Sequence, residues 1–246
     1  SVMFPPLVPE IKLHLAHEAV PLWQKTEEEL GEMGLAPPFW AFAWAGGQAL
    51  ARYVLDHAGT VGNLRVVDLA TGSGLVAIAS VQAGSASIVA TDIDEFATTA
   101  AEMNAGLNRV RLDIKLEDVL LQQPPPADVI LVGDLFYEKT LATHCLTWLR
   151  LAQVQGAKVF IGDPGRSYLP KEQLEKLQGA LESSPAPAPA APASPQKGAA
   201  PQTDSEHEQA KAINASIAAF KAAGGDVMIS LGGANGVSLA QSYAQR

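Results

Sequence analysis

Asp68, Gly72 and Gly74, in the stretch RVVDLATGSGLVAIA at 65–79, place a carboxylate and two glycines around one tight turn. An apolar β-type run leads into it and a helical apolar pattern leads out, so the glycines let the backbone approach a charged small molecule closely. Gly72, Gly74 and Ala77 also satisfy the G-x-G-x-x-G/A pattern, in which loop amides and a helix N-terminus face a pyrophosphate. Asp68 argues against that ligand, because a carboxylate at the strand end repels a diphosphate and attracts a cation. S-adenosylmethionine, with an α-ammonium and a sulfonium, has the matching charge, and Thr71, Gly72 and Gly74 are the loop residues expected to hold it. The plainer alternative is a tight strand-to-helix turn with no ligand. Asp92, in IVATDID, ends the next strand about 20 residues on, where a carboxylate can accept both ribose hydroxyls. Asp94 beside it suits a helix cap equally well. Asp118, in KLEDVL, with Glu117 before it, stands after the third strand, where adenine would be recognised; for both, a solvated surface acid is the alternative.

Positioning these acids takes a sheet. GGQALARYVLDHA reads as a helix and LRVVDLA as a buried strand. They are followed by helix 74–83, strand 87–92, helix 95–106, strands 110–116 and 127–133, helix 138–152, strand 157–163 and helix 170–182. Strands separated by helices imply βαβ units, hence an α/β, doubly wound, Rossmann-like parallel sheet with helices on both faces. The short apolar runs lack strict alternation, as strands covered on both faces should. Beyond them, SSPAPAPAAPASPQKGAAPQ at 183–202 reads as an extended linker that buries nothing. A helix at about 206–223 and a strand DVMISL at 226–231 come last. The expected division is a domain over 1–182, a linker over 183–202 and a helix–strand tail over 203–246.

Composition narrows the partners. With 246 residues, 48% hydrophobic and 17% charged, the chain can bury a sizeable core. A net charge of −9 disfavours nucleic acid, whose phosphates need clustered Lys and Arg. The single cysteine, Cys145, leaves no internal disulfide and points to a reducing compartment. No long apolar run suggests a membrane span, and SVMFPPLVPE lacks the basic and apolar regions of a signal peptide. A monomer in the bacterial cytoplasm is the expectation, or the mitochondrial matrix for a chain that has lost a presequence.

D-L-A-T-G-S-G at 68–74, PPFWAFAWAGGQALARYVLD at 37–56, GDLFYE at 133–138 and PEIKLHLA at 9–16 together resemble the electron transfer flavoprotein β-subunit lysine methyltransferases, class I enzymes with a seven-strand sheet. The resemblance covers roughly residues 3–182. It implies S-adenosylmethionine-dependent methylation of lysine side chains, with that flavoprotein subunit as protein substrate. Carried over residue by residue, Trp44 packs against the cofactor and Gly46 and Gly47 line its methionine end. An aromatic wall tolerates a sulfonium through cation–π attraction; the alternative for Trp40 and Trp44 is a place in the core. Asp134 matches the acid after the fourth strand of the family's order. It is the candidate carboxylate for the substrate amine, with Tyr137 and Phe136 shaping the lysine channel. Glu138 either touches substrate or favours the dipole of the next helix.

Other residues offer less. His14, His17, His57, His144 and His207 show no metal-ligand spacing, and Cys145 suits a small core position. The acids of TEEEL at 26–30 read as a solvated helix face, and His14 and His17 lie in an arm that could cover the cofactor.

The chain departs from the family at its end, where the terminal strand pair is not recognisable and is expected to be missing or replaced. Residues 206–246 instead resemble a fragment of family 18 chitinases, including Ser230, Gly232 and Gly233. The D-x-x-D-x-D-x-E signature is absent and the stretch is far too short for a barrel of about 250 residues. An added or loosely docked tail is expected, because a lone βα piece cannot build its own core; the alternative is that DVMISL completes the sheet. The functions that follow are a protein-lysine methyltransferase, a methyltransferase with another protein or small-molecule acceptor, or a cofactor-binding module without turnover.

Overall fold

The computed structural model describes residues 1–16, 37–171, 174–176 and 228–231. In chain order its elements are β1 (Val2–Met3), β2 (Leu13–His14), α1 (Ala45–Asp56), β3 (Arg65–Leu69), α2 (Leu75–Gln82), β4 (Ser87–Asp92), α3 (Glu95–Leu107), β5 (Asp113–Leu116), β6 (Val129–Gly133), α4 (Lys139–Val154), β7 (Lys158–Gly162), β8 (Leu174–Lys176) and β9 (Met228–Leu231). The main sheet runs β5-β4-β3-β6-β7-β9-β8, and β3 to β7 are parallel as expected. The strand order reverses between β3 and β6, and a crevice at such a reversal, beyond the carboxyl ends, is where open α/β sheets bind ligands.

Alternate residues of one strand enter opposite cores, as the period of two requires. Val129 and Leu131 pack with α1, α2 and the N-terminal arm. Ile130 and Val132 pack with Cys145, Trp148 and Leu149 of α4. α2 is buried at Leu75, Val76, Ala77, Ile78 and Ala79, which explains why LVAIA is apolar without a polar stripe. The N-terminal arm is part of the core instead of a flap: Val8, Ile11 and Leu13 are fully buried. Among the described residues no helix is long and apolar enough to cross a membrane.

Two expectations are corrected at the far edge. The terminal strand pair is present: β9, from DVMISL, lies antiparallel to β7, with Ile161 opposite Ile229, and β8 lies antiparallel to β9. The boundary drawn near residue 203 on composition thus does not coincide with the end of the sheet. β8 also falls inside the helix expected at 170–182, where the spacing of EQLEKLQ suits both states and pairing to β9 decides. The strand expected over 110–116 pairs only from Asp113. The acids of TEEEL, His17, His207, the Pro/Ala tract, the helix expected at 206–223, Gly232 and Gly233 lie outside the described residues.

Candidate active site

Each of the five parallel strands carries an acid at or beside its carboxyl end: Asp68, Asp92, Glu117, Asp134 and Asp163. Asp163 is the one that the sequence reading missed.

Asp68 sits beneath the glycine loop and is 1% exposed. Its Oδ2 accepts from Thr71 Oγ1 at 2.6 Å and from the Ala77 N–H at 3.0 Å. The carboxylate therefore braces the loop against the first turn of α2 from below. Burial pushes its pKa up to about 7 against those two bonds, and the charge of Asp92 adds to the rise. Gly72 and Gly74 have φ of +54° and +82°, the left-handed region that an L side chain rarely adopts. A Cβ on Gly72 would point at Trp40 Cα, 3.8 Å away, so the short turn Phe39–Ala41 lies opposite the loop. Asp92 accepts from the Gly72 N–H at 2.9 Å and the Asp94 N–H at 3.1 Å. Burial raises its pKa, and the Gly72 and Asp94 bonds oppose the rise. Among the described residues neither Asp68 nor Asp92 has an ion-pair partner. Buried Asp68 and half-buried Asp92, without a counter-charge, favour a cationic ligand over a pyrophosphate, so the donor set fits the S-adenosylmethionine expected from the loop.

Asn104 of α3, fully buried and unremarked in the sequence, ties this loop to the N-terminal arm. Its Nδ2 donates to the Ser73 carbonyl at 2.8 Å and its Oδ1 accepts from the His14 N–H at 2.6 Å. Asn104→Ala orphans both backbone groups. A loss of about 2–3 kcal/mol is expected, read as a melting temperature lower by roughly 4–12 °C.

The second cluster stands at the carboxyl ends of β6 and β7. Asp134 follows β6 with φ +58°, a conformation that Asp tolerates better than most residues. α1 begins at Trp44 without a side-chain cap of its own. Asp134 supplies one from 87 residues away, its Oδ2 accepting from the Gly47 N–H at 2.6 Å. Its Oδ1 accepts from Arg166 Nη1 at 2.5 Å, and that guanidinium also reaches Asp163 Oδ2 at 3.1 Å. Burial pushes Asp134 up to about 6; Arg166 and the Gly47 N–H hold it down, while Asp163 adds to the rise. Gly46 explains how α1 comes so close. A Cβ there would meet the Gly162 carbonyl oxygen at 2.2 Å and Asp134 Oδ2 at 2.7 Å.

Aromatic rings line the mouth. Trp44, 36% exposed, donates Nε1 to the Phe39 carbonyl at 2.7 Å, and its ring lies 6.1 Å from Phe39 and 6.0 Å from Phe42. Phe39 stands 5.3 Å from Tyr137, which is 48% exposed. Trp40 stacks on Phe96 of α3 at 6.4 Å. Both tryptophans thus belong to the rim and not to the core.

The remaining candidate residues are placed as follows. Phe136 is 0% exposed and packs in the α4 core, so it cannot line a lysine channel. Glu138 caps α4, accepting from the Thr140 and Leu141 N–H groups at 2.7 Å each, and these bonds lower its pKa. Asp94 caps α3 through the Phe96 N–H. Asp118 is exposed and caps a short turn through the Leu120 N–H at 3.1 Å. Cys145 is buried, its thiol pushed up to about 12 by burial. Among the described residues no group of three His, Cys, Asp or Glu is arranged to hold a metal.

Residues 48–135 match the family model described as Ribosomal protein L11 methyltransferase (PrmA). The electron transfer flavoprotein beta subunit lysine methyltransferase of Xenopus laevis is 40% identical over 164 residues, covering 66% of this chain and 65% of that protein. The homolog of Caenorhabditis elegans is 35% identical over 188 residues, covering 70% of this chain and 75% of that protein. The crystal structure of ribosomal protein L11 methylase from Lactobacillus delbrueckii subsp. bulgaricus is 28% identical, covers 48% of this chain and 60% of that one, and has a TM-score of 0.40. The chain spans just under two thirds of the length of the Xenopus relative. By its identity to the Caenorhabditis homolog over three quarters of that protein, the chain belongs to the electron transfer flavoprotein β-subunit lysine methyltransferase family.

Proposed function

We propose that this chain is an S-adenosylmethionine-dependent protein-lysine N-methyltransferase acting on the β subunit of electron transfer flavoprotein. One juxtaposition carries the reading: the glycine loop with Asp92 and the Asp134 carboxylate stand on the same sheet edge, under one aromatic rim. The substrate is the one for which the relatives are named.

Thr71, Gly72, Gly74 and Asp92 would hold the cofactor, with Trp44, Gly46 and Gly47 toward its methionine end and Asp118 toward its adenine. When bound, the cofactor supplies an electrophilic methyl group on a sulfonium. A free lysine has a pKa near about 10.4, so the incoming amine arrives protonated. Phe39, Trp44 and Tyr137 surround its methylenes with apolar surface, and desolvation favours release of the proton to water. Asp134 accepts a hydrogen bond from the amine, orients it, and stabilises the positive charge that develops on nitrogen. Most of the acceleration comes from this alignment.

Asp92→Asn keeps the Gly72 contact but removes the charge facing the ribose. It is expected to weaken S-adenosylmethionine binding about 10–100-fold by calorimetry. The substrate assignment is tested by labelled-methyl transfer into a cell lysate and mass spectrometry of the labelled protein. Label on lysines of the flavoprotein β subunit supports it, and label elsewhere only overturns it. The family-model match to a ribosomal-protein methyltransferase favours a second reading, the same chemistry on another protein, which that experiment detects directly.

A further inference from the structure

Arg166, in the turn after β7, belongs to none of the motifs picked out in the sequence. Its Nη1 stands 2.5 Å from Asp134 Oδ1 and 3.1 Å from Asp163 Oδ2. The other oxygen of Asp163 accepts from the Gly165 and Arg166 N–H groups at 2.8 Å each, so the acid ties down the turn that carries the arginine. The three side chains are 23%, 8% and 0% exposed for Arg166, Asp134 and Asp163. Asp134 is thus gripped on both oxygens, by the Gly47 N–H from α1 and by Arg166 from the β7 turn. Two buried acids share one guanidinium, which leaves the ionised cluster one negative charge in excess, enough to attract one further cation.

We propose that Arg166 is a positioning residue for methyl transfer: it keeps Asp134 ionised and fixed, while Asp163 supplies the surplus charge that draws in the substrate ammonium. This deepens the lysine-methyltransferase reading and rests on the role given there to Asp134. The groups facing Asp134 are the Gly47 N–H, Arg166 and Asp163. Without Arg166, burial and Asp163 both act against ionisation and only the Gly47 N–H supports it.

The test compares the full chain with Arg166→Lys, Arg166→Met and the double variant Arg166→Met with Asp163→Asn. In the double variant Asp163 is no longer a second uncompensated acid beside Asp134, and Asn keeps an oxygen for the two turn amides. Carboxyl ¹³C NMR follows the titration of Asp134, and the pH dependence of kcat follows transfer. In Arg166→Met the Asp134 titration is expected to move upward by about one pH unit or more, kcat at pH 7 to fall about twofold or more, and its acid limb to move up in step. Arg166→Lys falls between the two, the double variant moves less than Arg166→Met, and S-adenosylmethionine affinity stays within about twofold throughout. Variants that fold, judged by circular dichroism, yet leave both the titration and the acid limb in place overturn the inference; should Arg166→Met not fold, the lysine and double variants decide. If the unaltered chain methylates no lysine, the functional reading fails, and the NMR arm still reports whether Arg166 governs Asp134.

Discussion

Asp134→Asn is expected to lower kcat about 10²–10³-fold, the magnitude typical of removing one preorganised electrostatic contact from a transition state. Asparagine has nearly the same shape and its Oδ1 can still accept from the Gly47 N–H, so the α1 cap survives, while its Nδ2 cannot accept from Arg166, which keeps Asp163 as a partner. What is lost is the charge that compensates the nitrogen as it becomes positive. Cofactor affinity measured by calorimetry should stay within a few-fold, because the loop and Asp92 lie elsewhere on the edge. Stability separates this from a structural effect. The folded pKa of Asp134 is raised above its unfolded value, to about 6, so its contribution to stability is full below about 4 and lost as pH rises through about 6. Removing the charge at pH 7 therefore should not lower the melting temperature by more than a few degrees. The same pKa sets the acid limb of the unaltered enzyme: kcat is expected to fall as pH drops through about 6, as the carboxyl becomes neutral. Full turnover in Asp134→Asn would remove the residue from the mechanism.

Gly46→Ala should produce the largest loss of stability. The added Cβ would lie 2.2 Å from the Gly162 carbonyl oxygen and 2.6 Å from its carbon, both backbone atoms of β7 that cannot rotate away. The N-terminus of α1 must then lift off the sheet, at a cost of about 3 kcal/mol or more, and the melting temperature should fall by at least roughly 6–12 °C. Because Gly47 N–H caps onto Asp134, the same displacement should reduce kcat in whatever fraction remains folded. Gly59→Ala is the matched control. No atom lies within 4 Å of its would-be Cβ, and it should melt with the unaltered protein. A wild-type melting curve for Gly46→Ala would show that the contact relaxes without loss.

The residues of the cofactor half of the site were legible one by one. The five parallel strands, the two positive-φ glycines and Asp92 announce themselves through short-range signals: an apolar run, a turn that only glycine fits, and an acid at a set distance. Of the acceptor half proposed above, the sequence singled out Asp134 and Tyr137 and passed over Arg166 and Asp163. Phe136 and Glu138 stand beside Asp134 and Tyr137 in D-L-F-Y-E, yet one turned into the core and the other onto a helix end. Adjacent side chains diverge in direction, and no local pattern states which direction faces the crevice. Arg166 and Asp163 carried no motif, because their meaning depends on a carboxylate 32 residues from the arginine. The last strand shows the same division. DVMISL is readable as a strand from its β-branched and apolar residues, but its partner is chosen by backbone hydrogen bonds, which are identical for every residue type. Sequence alone therefore determined the parallel sheet, the glycine loop and the acids at the strand ends, all matters of local spacing. Tertiary structure alone decided which acid is gripped by Arg166, which glycine admits α1 to the sheet and how the far edge closes. Each of those depends on the distance between atoms remote along the chain and on how much water is excluded between them.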